Sequence, residues 1–183
     1  NVAHGSNPAK LGNFEADARE LIQTYQNLDT HPTVYVATSA TCYFTDAQPG
    51  IITDQVVPMQ KKVAEELGCT VIDIHEATKG LNHLFPDNLH PNREGYGIIA
   101  GVMCAAVVRG ESPDQAVFDL AKAYAAAQTI DRAGQVRYTE DTWAVFQQAF
   151  ASASEMLLNH LDTLTGQQIT EITASLNQGM DQL

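Results

Sequence analysis

Within FEADARELIQTYQN, residues 14–27, the apolar positions Phe14, Ala18, Leu21, Ile22 and Tyr25 fall on one helical face, and Asn13 stands where a cap belongs. This spacing predicts an amphipathic helix. HPTVYVATS follows, rich in β-branched and aromatic residues, and its near-continuous apolar run predicts a strand covered on both faces. TCYFTDAQPG is expected to be loop. Asp54 is then placed to cap a helix through VVPMQKKVAEELG, with Pro58 in the first turn and Gly68 as the stop. TVIDI, residues 70–74, predicts a second short buried strand. Such alternation builds parallel sheets, whose active sites lie beyond the carboxyl ends of the strands. The next segment, REGYGIIAGVMCAAVVRG, is so apolar that the helix it predicts is expected to pack against a sheet.

The pattern changes at GESPDQ, residues 110–115. From there no strand pattern appears, and helices are predicted over about 113–127, 139–159 and 166–182. Thr139 leads into EDTW, and Thr165 with Gln168 has the Thr-x-x-Gln form of a capping box, so two starts are marked independently of periodicity. The economical arrangement is a three-helix antiparallel bundle. Trp143, Phe146 and Phe150 share a face of it and are expected in its core. The expected organisation is an α/β part over 1–110 and an all-α bundle over 111–183.

Composition narrows the partners. Hydrophobic content of 44% with 17% charged residues is that of a globular chain. With 22 acidic against 10 basic residues the net charge is -12, which repels phosphate backbones and anionic lipid heads. Nucleic acid and membrane insertion are therefore not expected. Cys42, Cys69 and Cys104 are too few and too widely spaced for a disulfide framework or a C-x-x-C metal site, and each is expected to be buried as a small hydrophobe. No metal or organic cofactor is expected. The chain begins at Asn1 without an initiator Met and is expected to be a piece of something longer.

Candidate chemistry sits in FPDNLHPNREGYG, residues 85–97. Turn chemistry accounts for Asp87, Asn88, Pro91 and Asn92, but not for His90. Histidine exchanges a proton near neutral pH, so it serves as a general base. Asp87 lies three residues before His90, on a loop past the carboxyl end of the second predicted strand and between two prolines. There its carboxylate could accept the ring N–H of His90, fixing the tautomer whose other nitrogen faces a nucleophile.

The order FEADARELIQTY, PTVYVATSA, VVPMQKKVAEELGCTVIDI and LFPDNLHPNREGYGIIA resembles the carboxyl-terminal part of the SGNH (GDSL-type) hydrolases, in their carbohydrate-esterase branch, over roughly residues 1–109. The resemblance implies a truncated flavodoxin-like parallel sheet, with His90 as general base and Asp87 as its orienting partner. Pro91 and Gly95 complete the motif, and Phe85, Pro86 and Asn92 belong to the same local pattern. The family's nucleophilic serine and its glycine block are absent. Gly5-Ser6 and Glu111-Ser112 do not follow a predicted strand into a helix, the setting such a serine requires. Asn1 falls about where the oxyanion asparagine block ends, but Val2 replaces the aspartate expected next, so Asn1 receives no role.

Residues 114–183 resemble a second family, the FIVAR modules of large bacterial surface proteins and glycan-degrading enzymes. AKAYAAAQTIDRAGQVRYTEDTWAVFQQAFASASEMLLN and ITEITASLNQGMDQL carry that resemblance, while LDTLTGQQ replaces the usual acidic-rich link. Together the resemblances imply a secreted or cell-surface serine-type ester hydrolase acting on acetylated carbohydrate, with its nucleophile outside this chain. The alternative is a non-catalytic adhesion or glycan-binding module in which the α/β part is a relic.

Overall fold

A computed structural model describes residues 11–43 and 50–183. The chain divides into two compact units. The first runs to Asn92 and includes Gly110–Ser112, and the second comprises Arg93–Arg109 and Pro113–Leu183.

In the first unit, helix α1 spans Phe14–Gln26 and directs Ile22 inward. Asn13 caps it only through its backbone: its carbonyl accepts from the Asp17 N–H at 2.9 Å and its side chain makes no cap bond. Strand β1 is Tyr35–Ala37 and strand β2 is Thr70–Ile72. They pair in parallel with Tyr35 opposite Thr70 and Ala37 opposite Ile72. Parallel pairing requires a crossover, which is supplied by a π-helical segment, Ile52–Val56, running into helix α2, Val57–Glu66. Pro58 explains the π segment. Having no N–H, it cannot bond back to Asp54, and its ring crowds the preceding turn, so the backbone widens and the Val57 N–H reaches the Ile52 carbonyl instead. Asp54 consequently lies inside the helical run rather than capping it. Gly68, at φ +66°, ends α2 in the left-handed region, where Cys69 N–H reaches back to the Ala64 carbonyl at 2.8 Å. Helix α3, Ile74–Thr78, follows β2 at once, capped by Asp73, whose side chain accepts from the Glu76 N–H.

The second unit has four helices: α4 (Arg93–Arg109), α5 (Gln115–Ala133), α6 (Glu140–Asn159) and α7 (Gly166–Asp181). Thr139 caps α6 and the Thr165–Gln168 capping box opens α7, as the spacing predicts. Phe146 is fully buried among Leu120, Ile169 and Leu176, with Trp143 and Phe150 packed against the same core. Gly97 and Gly101 of α4 let that helix approach α5: a Cβ at either position would lie 3.3 Å from Ala125 or Ala121, inside ordinary contact. Arg109 ties the end of α4 to the link between α6 and α7, donating to the Leu161 and Leu164 carbonyls at 3.1 and 2.7 Å.

Two expectations are corrected. Among the described residues the sheet has two strands of three residues, so this is a mostly helical protein and not the expected truncated flavodoxin-like parallel sheet followed by a bundle. The apolar runs are long enough for a strand, but most of their residues lead into turns, caps and helices instead of further ladder. Nor are the cysteines fully buried: Cys42 and Cys69 are half-buried and Cys104 is exposed on α4, a helix apolar all round whose outer side bears Tyr96, Met103 and Val107.

Candidate functional site

Asp87 and His90 lie on the loop between a short 3₁₀ turn, Asn82–Leu84, and α4. Leu84 and Phe85, both buried, anchor one side of it, and the Asn92 N–H closes the other by donating to the Leu84 carbonyl at 2.7 Å. Between them Pro86 opens a tight turn in which Asn88 N–H donates to the Phe85 carbonyl at 2.8 Å. Asn88 then takes φ +62°, a left-handed conformation that asparagine tolerates better than most residues.

This reversal brings the two candidate side chains together. Asp87 Oδ2 and His90 Nδ1 are 2.7 Å apart. The other oxygen, Oδ1, accepts from the backbone N–H of His90 at 2.6 Å and of Leu89 at 3.0 Å. The carboxylate is thus held by the loop it sits on, and aims its free oxygen at the ring. The hydrogen bond to the His90 ring, followed by those to the backbone of His90 and Leu89, holds the Asp87 carboxyl well below the usual carboxylate range. An ionised Asp87 accepts the Nδ1 proton, which leaves Nε2 as the unprotonated nitrogen of a neutral ring. With side chains 69% and 58% exposed, His90 and Asp87 stand open to solvent and to any group brought to the same surface. Among the described residues His90 is the one histidine paired with a carboxylate.

The loop is tied to the carboxyl ends of both strands. Thr38, just after β1, continues the pairing by donating its N–H to the Ile72 carbonyl at 2.9 Å, and its hydroxyl bonds Asp73 Oδ1 at 3.1 Å. Burial pushes the Asp73 carboxyl up, but an ion pair with Lys61 and the Glu76 N–H outweigh it and hold the group below its ordinary value. Thr41 bonds Thr78 and the His75 carbonyl, and Tyr43 N–H reaches the Asn88 carbonyl at 2.9 Å. This brace joins residues 34 or more positions apart, and no local spacing in the sequence signals it. A candidate pair beyond a strand end was legible; the hydroxyl network that braces it was not.

Ser6 and Asn1 lie outside the described residues. Ser112 is exposed on the link after α4, and Gly95 is buried in the first turns of α4. Pro86 and Pro91 flank the pair. Among the described residues no cluster of three His, Cys, Asp or Glu side chains could hold a metal ion, and no helix is long and apolar enough to cross a membrane. A cavity of about 470 Å³ lies elsewhere in the first unit, lined by Leu21, Ile22, Tyr25, Tyr35 and Val63, and neither Asp87 nor His90 borders it. Its lining is mostly apolar, with Asp17 and Gln60 among it but no histidine and no carboxylate–histidine pair, so the exposed Asp87–His90 pair is the better candidate site despite being shallow.

No family model matches the chain, and no solved structure matches it. Over 58 residues, 31% of its length, the chain is 33% identical to an acetylxylan esterase of Xylanibacter ruminicola, of which it spans 12%.

Proposed function

We propose that this chain carries the acid–base half of a serine-type carbohydrate esterase of the SGNH kind, which removes acetyl groups from a polysaccharide. The observation that carries the reading is the Asp87–His90 pair, with its carboxylate on Nδ1 and Nε2 left open. The similarity to an acetylxylan esterase supports the substrate class. In this reading the nucleophilic serine and the oxyanion donors come from sequence beyond this chain. Serine Oγ attacks the acetyl carbonyl while Nε2 takes the hydroxyl proton; the protonated ring then returns it to the departing sugar oxygen, leaving an acetyl-enzyme. Water, deprotonated by the same nitrogen, then adds to the acetyl carbon, and the ring returns the proton to serine Oγ as the ester bond breaks, releasing acetate and the free serine. Asp87 stays ionised throughout, orienting the ring and stabilising its cationic form. The helical part, by its FIVAR resemblance, acts as a spacer or binding module of a secreted or cell-surface protein.

The test is acetate release from acetylated xylan by this chain and by the chain extended upstream in its natural sequence. The extended protein should release acetate, and the short chain should stay at background because its base has no serine to deprotonate. Silence from the extended protein, folded and supplied with acetylated carbohydrates of several backbones, would overturn the reading.

A further inference from the structure

We infer that Tyr43 is a positioning residue for His90, joining the chain beyond β1 to the turn that carries the imidazole. Four separate contacts converge on this side chain and its backbone. The hydroxyl donates to the Thr78 carbonyl at 2.6 Å and accepts from the Leu81 N–H at 2.8 Å, so it bridges the end of α3 and the segment entering the loop. The ring meets Phe85, the buried anchor of the turn, edge to face with centroids 5.1 Å apart. The backbone N–H donates to the Asn88 carbonyl at 2.9 Å.

Asn88 is where these contacts bear on the site. It lies between Asp87 and His90, and its left-handed backbone, better tolerated by asparagine than by most residues, is still less favoured than ordinary helical or extended angles, so its surroundings help to hold it there. Its N–H is held by Phe85 and its carbonyl by Tyr43. Freed from Tyr43, Asn88 can relax toward ordinary backbone angles. That rotation turns the peptide planes on either side and pulls the Leu89 and His90 N–H groups off Asp87 Oδ1. Once Oδ1 is released, Oδ2 is no longer aimed at Nδ1. Tyr43 therefore acts on the chemistry through the turn, without touching a reacting atom.

The inference rests on the esterase reading for what His90 then does, but its test needs no ester. Nitrogen NMR of the intact chain, with the ring neutral, reads which imidazole nitrogen carries the proton. The native protein should show the Nδ1-protonated form dominant. Tyr43→Ala keeps the backbone N–H but removes the hydroxyl and ring that hold it against Asn88, and should lower the ratio of that form to the other roughly fivefold, the scale of one lost hydrogen bond; Tyr43→Phe should lower it by a smaller factor. Unchanged tautomer ratios in both folded variants would overturn the positioning role. Should the variants not fold, amide exchange in the native chain decides: a Tyr43 N–H protected to the same degree as the Asn88 N–H supports the role, and a freely exchanging one overturns it. In the extended protein the same variants should lower kcat more than they raise KM. A tautomer change without acetate release would leave Tyr43 in its role and sink the esterase reading alone.

Discussion

In the helical unit Phe146 and Leu176 are wholly out of solvent and Ile169 nearly so, whereas in the first unit Leu21 and Tyr25 of α1 remain 59% and 53% exposed beside an open apolar cavity. The contrast follows from what each kind of element needs. A helix satisfies its own backbone, so α5, α6 and α7 close a core by packing one apolar stripe against two neighbours. A strand needs partners on its edges, and β1 is paired with β2 alone among the described residues. The apolar side of α1 and the outer edge of β1 line the cavity together. The outer side of α4 is the exception in the helical unit, with Tyr96, Met103 and Val107 exposed. The region with the less complete core carries the candidate chemistry, on a loop braced by hydroxyl hydrogen bonds.

The largest effect is expected in the helical core. Phe146→Ala removes a fully buried ring that stacks with Phe150 and meets Trp143 at a tilt, and should cost about 3–5 kcal/mol, read as a lower denaturant midpoint for the helical signal. A cost below about 1 kcal/mol would mean that the core is not closed. Overpacking is the next largest effect. Gly101→Val puts two methyl groups where a single Cβ already lies 3.3 Å from Ala121, and should cost about 1–3 kcal/mol in thermal melts.

A smaller effect is expected at Asp73, which caps α3 and pairs with Lys61. Asp73→Ala should cost about 0.5–2 kcal/mol through the lost cap. Because the folded carboxyl lies below its unfolded value of about 3.9, its contribution is present above that pH and fades as pH falls through the folded value. Native stability should thus decline in that acid window more steeply than that of Asp73→Asn. Parallel curves would contradict the ion pair. Smallest of all, Leu21→Ser or Tyr25→Ser beside the open cavity should change stability by about 1 kcal/mol or less, since each residue keeps more than half of its surface in solvent. A large loss at either position would show that face to be covered.

How much of this could be read from the sequence depended on how local the signal was. Thr139 and the Thr165–Gln168 pair marked helix starts because a cap spans three residues, and Trp143, Phe146 and Phe150 marked a core face at helical spacing. Asp87 and His90 were legible for the same reason: their meeting needs one tight turn. Sheet extent was not local. The runs around Val34–Ala37 and Thr70–Ile72 read as buried strands, yet strand number depends on partners that periodicity cannot reveal. The apolar run of α4 read as a helix that would meet a sheet, yet apolarity alone does not name the partner: the small residues Gly97 and Gly101, set against Ala125 and Ala121, admit α5. Asp54 was misplaced as a cap because Pro58 converts its turn into a π segment, an effect of backbone geometry rather than of residue preference.

The most direct test of the proposed role of this site is the rate of acetate release by the upstream-extended protein with His90 intact and with His90→Ala. Loss of roughly 10³-fold or more is expected, since the serine would keep its proton and the departing sugar oxygen would receive none. Equal rates from the two proteins would contradict it and reduce the Asp87–His90 pair to a hydrogen bond that shapes a turn.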